Sequence, residues 1–242
     1  MKRKKEQSVI DGFFNYLRRR VEAKERKFVK CSMDGMDSVL GADYIFSDNT
    51  HFLLTEFKFD VSDLIKEAEK HRRLNLCQNL DLDNLKAQKS LQCHYIAWSK
   101  KIPDNKRRIY FNQYKPEICN QTIFGADSNL YNTQPDDRMQ KTANIIIDEF
   151  LEHKIGASFQ LFDDYVSWLI SLEGDQGDSG VEILIDDPES DECDLQGFDS
   201  LKELKEWLDK HSPKPEIKPD PEPKPKKPKG PEDDNSGPSF GM

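Results

Sequence analysis

Two apolar runs that carry three charged side chains place the strongest constraint on how this chain can fold. They lie in the segment Gly41–Phe59, which reads GADYIFSDNTHFLLTEFKF. The polar residues Ser47–Asn49 between the runs indicate a turn, so the two runs are predicted to form a β-hairpin. Side chains alternate between the faces of a strand, and Glu56 and Lys58 therefore point to the same side. Because burying unpaired charge is costly, these charges on so apolar a strand indicate a functional site.

Phosphodiester hydrolysis with a divalent metal ion is the chemistry that this set of charges favours. Carboxylates from adjacent strands can hold Mg²⁺ or Mn²⁺ and leave positions open for water and phosphate. Asp43 and Glu56 are the predicted metal ligands, together with the backbone carbonyl of Phe57. Lys58 is predicted to orient or deprotonate the attacking water and to offset charge in the transition state. The alternative is a surface pair of Glu56 and Lys58 on an edge strand, against which the apolar neighbours argue.

The apolar patterns elsewhere predict an α/β fold with a central mixed β-sheet flanked by helices. The segment His51–Phe59 is predicted as a central strand, because both of its faces carry apolar side chains. Ser62 is predicted to cap the helix that follows it. The other predicted elements are helices over Ile10–Lys27, Asp60–Leu76, Ala143–His153 and Phe159–Leu172, and strands over Lys27–Met33, Ser38–Ser47, Leu91–Ser99 and Arg107–Tyr114.

Composition divides the chain into four parts. Residues 1–120 are predicted as an α/β core with a basic N-terminal helix, and residues 121–172 as a mostly helical extension. Residues 173–211 are acidic, with a short strand predicted over Val181–Ile185 and a short helix over Ser200–Lys210. Residues 212–242 hold nine of the 13 prolines amid Lys, Asp and Glu. That composition is typical of a disordered tail.

The spacing of the charged residues resembles the PD-(D/E)xK nuclease superfamily, also called the restriction-endonuclease-like fold. The matching residues are Asp43, twelve intervening residues and the triplet Glu56-Phe57-Lys58. The resemblance covers about residues 10–115, including the order of helices and strands. It implies that Asp43 and Glu56 bind Mg²⁺ or Mn²⁺ and that Lys58 serves catalysis. One departure is Ala42, which stands where members often have proline.

The same resemblance implies further site residues on the helices. Members often place a metal-assisting glutamate on the first helix, for which Glu22 and Glu25 are the candidates here. Several branches also carry a Gln or Lys on the helix after the motif strand, for which Gln78 and Gln88 are the candidates.

The implied function is a metal-dependent nuclease, a hydrolase acting on DNA rather than RNA as the first expectation, in phage defence, restriction or repair. The chain shows no separate sequence-reading domain, so a partner protein is one predicted means of targeting. A homodimer is a further expectation, because many members act as dimers. Two alternatives stay open. One is an inactive nuclease-like fold that binds nucleic acid or protein as an assembly module, and the other is an α/β interaction protein with a chance motif.

Charge is distributed unevenly around a net value of −9. Residues 1–30 are strongly basic, and phosphate contacts are predicted there. The predicted contact residues are Arg18, Arg19, Arg20 and Lys24. Tyr110, Phe111 and Tyr114 beside Arg107 and Arg108 are an alternative path for a single strand. The acidic residues 186–194 are predicted either to occupy the substrate groove as an autoinhibitor or, with the tail, to dock a protein partner.

Five widely spaced cysteines without a CxxC pair indicate reduced thiols and a cytoplasmic protein. The spacings of His71, Cys77, Cys93 and His94 match no closed zinc module. No run of 18 apolar residues occurs, and the basic N-terminus is not followed by an apolar segment. Neither a membrane span nor a signal peptide is therefore expected.

Overall fold

Strands of one mixed sheet form the centre of the computed structural model, which describes residues 3–33, 40–70, 72–172, 183–186 and 194–211. They are β1 (Val29–Ser32), β2 (Tyr44–Ser47), β3 (Phe52–Lys58), β4 (His94–Ile102), β5 (Lys106–Gln113), β6 (Lys141–Thr142), β7 (Ile183–Asp186) and β8 (Leu195–Phe198). Their order across the eight-stranded sheet is β6-β5-β4-β3-β2-β1-β7-β8. β3 pairs in parallel with β4, and the other described pairs are antiparallel. The predicted α/β fold with a mixed sheet is confirmed.

Helices cover both faces of this sheet. The α-helices are α1 (Arg3–Glu22), α2 (Arg73–Leu82), α3 (Asn84–Cys93), α4 (Tyr114–Ile118), α5 (Gln121–Phe124), α6 (Ala143–Leu151), α7 (Phe159–Ser171) and α8 (Leu201–His211), and 3-10 helices span Val61–Glu69, Ala126–Ser128 and Asp137–Met139. α1 and α6 pack on one face, where Phe13 contacts Phe57 and Phe111. α2, α7 and α8 pack on the other face, through side chains such as Leu76 and Phe162.

β3 is the strand on which both hydrophobic layers depend. All seven of its residues are buried, and it lies fourth in the sheet between β4 and β2. Phe52 and Leu54 belong to one layer, and Leu53 and Phe57 to the other. Each large apolar side chain buried in this way stabilises the fold by roughly 1.5–3 kcal/mol. The predictions of a central strand and of a hairpin with β2 are confirmed.

The chain after β3 differs from the single helix predicted over Asp60–Leu76. It forms the 3-10 helix Val61–Glu69, then breaks, and continues as α2. Asp60 caps the start instead of Ser62, because its carboxylate accepts a 3.2 Å hydrogen bond from the Ser62 N–H. In a 3-10 helix, residues three apart lie on the same side. The tighter winding therefore places Glu67 and Lys70 together beside the end of β3.

Two further differences concern strands. The strand predicted over Leu91–Ser99 begins only at His94, because the residues before it complete the last turn of α3. β8 was not predicted; it pairs with β7, which in turn pairs with β1 and extends the sheet. The predicted strand Val181–Ile185 and helix Ser200–Lys210 correspond to β7 and α8. Most of the acidic segment 186–194 and the tail 212–242 lie outside the described residues.

The cysteines depart from the prediction of reduced thiols. Cys77 in α2 and Cys119 after α4 form a disulfide with a Cα–Cα distance of 5.0 Å. Cys31 and Cys93 are free and buried, and burial raises the pKa of both thiols. The prediction is wrong for the first pair, because packing of the two helices brings together cysteines that are 42 residues apart. Among the described residues, every helix is too short or too polar to cross a membrane.

Candidate active site

Asp43 is held beside β3 by contacts of its backbone and its side chain. Its N–H donates to the Thr55 carbonyl at 3.0 Å, and its carbonyl accepts from the Met33 N–H at 3.1 Å. Its carboxylate accepts a 2.6 Å hydrogen bond from the Phe57 N–H through Oδ2. The hairpin therefore fixes the carboxylate of Asp43 next to the triplet that contains Glu56 and Lys58.

Gly41 allows the chain to turn sharply just before Asp43. Its φ is +75°, a conformation that glycine adopts without steric cost. A Cβ at this position would lie 3.1 Å from Arg73 Nη1 and 3.3 Å from His94 Cε1. His94 Nε2 donates a 3.0 Å hydrogen bond to the Gly41 carbonyl. A side chain at position 41 would therefore displace the buried groups that support the site.

Asp43, Glu56 and Lys58 line a single cleft of about 500 Å³ at the end of β3. The other residues that line it are Glu6, Gln7, Ile10, Met33, Tyr44, Lys66 and Lys70. Glu56 and Lys58 are almost fully buried, with 1% and 4% of their surface exposed. The three predicted catalytic side chains thus meet in one place, at the floor of a cleft that opens to solvent.

Glu67 is the central carboxylate of a buried ion cluster below this cleft. Its Oε1 lies 3.0 Å from Lys58 Nζ and 3.1 Å from Lys70 Nζ. Both lysines also contact Glu56 Oε1. Burial opposes the charged form of Glu67, but Lys58, Lys70 and Arg73 together lower its pKa to about 2. Glu67 is therefore the anion that holds the cations of the site, and sequence reasoning missed it.

A second layer of polar side chains supports Glu67 from below. Glu67 Oε2 accepts hydrogen bonds from Arg73 Nε at 3.1 Å and from the Tyr114 hydroxyl at 2.7 Å. The Tyr114 ring stacks on His94, with ring centroids 4.3 Å apart. Burial lowers the pKa of His94 to about 3, so its Nδ1 accepts from the Tyr165 hydroxyl at 3.0 Å. These buried contacts keep the carboxylate of Glu67 in one orientation.

Two carboxyl groups at the cleft, those of Asp43 and Glu6, have raised pKa values. Burial, and then the neighbouring charge of Glu56, raise the pKa of Asp43 from 3.8 to about 8. Partial burial also raises the pKa of Glu6, against the attraction of Lys58. Like charges close together disfavour ionisation. The charge of Glu56 therefore acts on Asp43 across the cleft.

The residues present fit a hard divalent cation. Glu56 Oε2 is buried and has no hydrogen-bond partner among the described residues. An unsatisfied buried oxygen is costly unless a ligand completes it. The Phe57 carbonyl, the third predicted ligand, lies 3.2 Å from Lys58 Nζ. Oxygen donors of this kind suit Mg²⁺ or Mn²⁺, which retain several water ligands.

Glu22 and Glu25 lie far from the cleft, so their position does not support the metal role predicted for them. Glu22 follows Glu6 by 16 residues on α1, which is about 24 Å at 1.5 Å per residue. Glu25 lies in the turn beyond the helix. The first helix does supply a glutamate, but it is Glu6, because the N-terminal end of α1 meets the cleft.

The positions of Gln78 and Gln88 also do not support the site roles predicted for them. Gln78 donates a 2.9 Å hydrogen bond to the Ser128 carbonyl, and Gln88 is exposed on α3. Neither lines the cleft. The side chain that reaches the cleft from the segment after β3 is Lys70, which follows the 3-10 helix directly. Its Glu67-x-x-Lys70 spacing is the signal that could have identified it.

The predicted phosphate contacts lie toward the opposite end of α1 from the cleft. Arg18 and Arg19 are exposed, whereas Arg20 and Lys24 pair with Asp148 on α6. Their role in binding nucleic acid stays a prediction. The alternative path over Phe111 and Tyr114 is wrong, because both rings are buried and offer no face for stacking.

A second groove of about 600 Å³ adjoins the cleft and shares Glu6 and Lys66 with it. Its cationic side chains are Lys5, Lys66, Lys101 and Arg107. The charged groups of Lys5 and Arg107 lie 5.5 and 4.2 Å from the centroid of the Phe59 ring. The groove also carries Glu6, Asp60 and Asp63, of which Asp60 pairs with Arg107 and Asp63 with Lys66. Sequence reasoning missed it because its residues come from three separate segments of the chain.

No protein-family model, curated protein or solved structure matches this chain. The site is therefore interpreted from its own geometry and chemistry.

Proposed function

We propose that this chain is a metal-dependent phosphodiesterase with a restriction-endonuclease-like fold, which cleaves nucleic acid and is expected to act on DNA. The observation that carries the proposal is the meeting of Asp43, Glu56 and Lys58 in one cleft beside the end of the central strand. The buried, unpartnered Glu56 Oε2 supports it, as does the raised pKa of Asp43. Both features are those expected of carboxylates that would hold a cation.

Asp43, Glu56 and the Phe57 carbonyl would hold Mg²⁺ or Mn²⁺. Such an ion lowers the pKa of water and offsets negative charge on a phosphate. Glu56 contacts Lys58 and Lys70 through Oε1, which leaves Oε2 available to the ion, and Glu67 also contacts both lysines. The buried cluster thus provides a second anion that keeps the two ammonium groups in place when Glu56 is engaged.

Lys58 is protonated in this environment. Burial alone would lower the pKa of Lys58, but Glu56 and Glu67 raise it above its ordinary value. A protonated ammonium cannot remove a proton from water. Of the two predicted roles, the geometry therefore favours the donor: Lys58 orients the attacking water or the phosphate and offsets charge in the transition state. Lys70, which is partly exposed at the cleft, is placed to contact a phosphate oxygen.

The groove beside the cleft offers the polyanion a path toward these groups along Lys5 and Lys101, while its other two cations, Lys66 and Arg107, pair with Asp63 and Asp60. It adjoins the cleft and presents cations from α1, the 3-10 helix and the β4–β5 hairpin. Contacts of this kind bind phosphates without reading the sequence. We therefore expect cleavage that depends on strand structure or on a partner protein, in a setting such as phage defence, restriction or repair.

Cleavage of plasmid DNA, single-stranded DNA and RNA in Mg²⁺, Mn²⁺ or EDTA tests the proposal. We expect metal-dependent cutting that Asp43→Asn, Glu56→Gln and Lys58→Met each reduce by about 100-fold or more. Asp164→Asn is the matched control, because that carboxylate pairs with Lys86 and Lys89 on the surface. If Glu56→Gln and Lys58→Met cut as well as the unchanged chain, the assignment is wrong.

A module that binds without cutting is the second candidate. The observation that favours it is the ion cluster itself, in which the ammonium groups of Lys58 and Lys70 contact the carboxylates of both Glu56 and Glu67. In that case Mg²⁺ would leave the melting temperature unchanged, and DNA would bind in EDTA without being cut in Mg²⁺. Metal-induced stabilisation together with cleavage excludes this candidate.

A further inference from the structure

A second cluster of ligand side chains lies at the opposite end of β3 from the cleft. Asp48 directly follows β2, His51 directly precedes β3, and His153 lies in the turn after α6. Their ligand atoms all lie within 4.8 Å of one another. Among the described residues, no other group of three Asp, Glu, His or Cys side chains brings its ligand atoms this close together.

The carboxylate of Asp48 is fixed by its own turn. Oδ1 accepts hydrogen bonds from the Thr50 N–H at 3.0 Å, the Thr50 hydroxyl at 2.7 Å and the His51 N–H at 2.8 Å. Oδ2 points the other way and lies 2.7 Å from His153 Nε2. One oxygen thus organises the loop, and the other contacts His153.

The loop after α6 is held firmly against His51. Phe52 and Ala157 exchange backbone hydrogen bonds of 2.9 and 3.0 Å. A Cβ on Gly156 would lie 3.1 Å from His51 Cβ, so glycine permits this approach. His153 has a φ of +57°, which is uncommon for a residue with a side chain. The packing holds the His153 and His51 rings parallel, with centroids 4.3 Å apart.

The cluster offers two imidazole nitrogens and one carboxylate oxygen. Imidazole suits Zn²⁺, Co²⁺, Ni²⁺ and Cu²⁺, whereas Mg²⁺ prefers a set of oxygen ligands. Three protein ligands also leave a coordination position for water. The alternative is a hydrogen-bonded network that requires no metal, in which His153 contacts Asp48 and the Thr50 hydroxyl lies 3.0 Å from His51 Nδ1 and 3.3 Å from His153 Nε2.

We infer that Asp48, His51 and His153 bind a transition-metal ion of the Zn²⁺ class, at a site separate from the Asp43–Glu56 cleft. His51 and Glu56 are five positions apart along extended chain, which is about 17 Å. The ion ties the turn between β2 and β3 to the loop after α6. This role does not depend on whether the cleft cleaves nucleic acid.

Isothermal titration of the full chain, stripped of metal with EDTA, tests the site. Asp43→Asn and Glu56→Gln are introduced together beforehand, so that Zn²⁺ bound in the cleft cannot be counted. We expect one Zn²⁺ per chain and no binding of Mg²⁺. Zn²⁺ at about 100 times its dissociation constant should raise the melting temperature by about 5 °C or more.

Three further substitutions separate a metal site from a hydrogen-bonded cluster. His51→Ala and His153→Ala should each weaken Zn²⁺ binding about 10-fold or more. Asp48→Asn keeps an oxygen acceptor for the turn but removes the charge, and it should weaken binding in a chain that remains folded. His211→Ala, a histidine on α8 outside the cluster, should bind as before. Bound Co²⁺ should give visible absorption that His153→Ala removes. Unchanged Zn²⁺ affinity in the His51, His153 and Asp48 variants overturns the inference.

Discussion

The Phe57 N–H donates a 2.6 Å hydrogen bond to Asp43 Oδ2, although the two residues are 14 positions apart. This bond places the carboxylate of Asp43 beside the peptide that joins Glu56 to Phe57. The ligand donors proposed for the metal therefore lie on one short stretch of β3 and its immediate neighbour. Their spacing depends on the register of the hairpin, in which Tyr44 pairs with Thr55.

Because of Asp43, the free energy of unfolding of the metal-free protein should fall as the pH rises. The pKa of Asp43 is raised to about 8 in the fold, so the folded chain retains a proton that the unfolded chain releases near pH 4. That contribution is fully present below about pH 4 and is lost as the pH rises toward 8. In EDTA, the melting temperature of the unchanged chain should fall relative to that of Asp43→Asn between pH 5 and 8.

Magnesium should reverse this trend, because the ion takes the place of the proton. The rise in melting temperature caused by Mg²⁺ should increase from pH 6 to 8 and should be absent in Asp43→Asn. Thermal melts across this range measure both effects. A pH dependence that is the same in the two proteins contradicts the raised pKa of Asp43.

Glu67→Gln should destabilise the protein strongly. The change leaves Lys58 and Arg73 buried without their shared anion. Breaking a buried ion pair in this way costs about 3–5 kcal/mol, measured as the free energy of unfolding in urea. Asp63→Asn is the control, because it removes a more exposed partner of Lys66 and should cost less than about 1 kcal/mol. Equal effects of the two changes would show that the cluster contributes little.

The disulfide should contribute substantially to stability. Cys77 and Cys119 close a loop with a sequence separation of 42, for which chain entropy gives about 4 kcal/mol. Replacing both by serine should lower the free energy of unfolding by this order. Dithiothreitol should have the same effect on the unchanged chain and none on the double variant. If dithiothreitol does not alter the unfolding midpoint of the unchanged chain, the disulfide is not a stabilising cross-link.

Removing cations from two different surfaces should have different effects on DNA binding. Lys5→Ala with Lys101→Ala removes charge from the groove beside the cleft, and Arg18→Ala with Arg19→Ala removes it from exposed positions farther along α1. We expect the first pair to weaken binding and to reduce the salt dependence by about 0.9 per lost phosphate contact. Titrations at several salt concentrations in EDTA measure this slope. A larger effect from Arg18→Ala with Arg19→Ala would instead support the phosphate contacts predicted from the sequence.

Local patterns predicted the hairpin and the positions of Asp43, Glu56 and Lys58. Strand alternation and a four-residue turn decide which side chains share a face, and both can be read from neighbouring residues. The choice between Glu6 and Glu22 could not be made in this way. Both lie on α1, and only the packing of that helix on the sheet decides which end meets the cleft.

Contacts between distant segments account for the other omissions. The role of Glu67 depends on a hydrogen bond from Tyr114, which is 47 residues away. It also depends on a 3-10 helix whose sequence would suit an α-helix equally well. His51 meets His153 only because the loop after α6 pairs with the start of β3. Such pairings follow from tertiary packing, which overrides local preference.

The parallel pairing of β3 with β4 has a consequence for the order of folding. The β2–β3 hairpin closes over a short turn, and hairpins form within roughly 1–10 μs. The pairing of Leu54 with His94 must wait until the long crossover between the strands has closed, which is slower. Asp43 and Glu56 are therefore expected to approach each other before Tyr114 and Arg73 enclose Glu67.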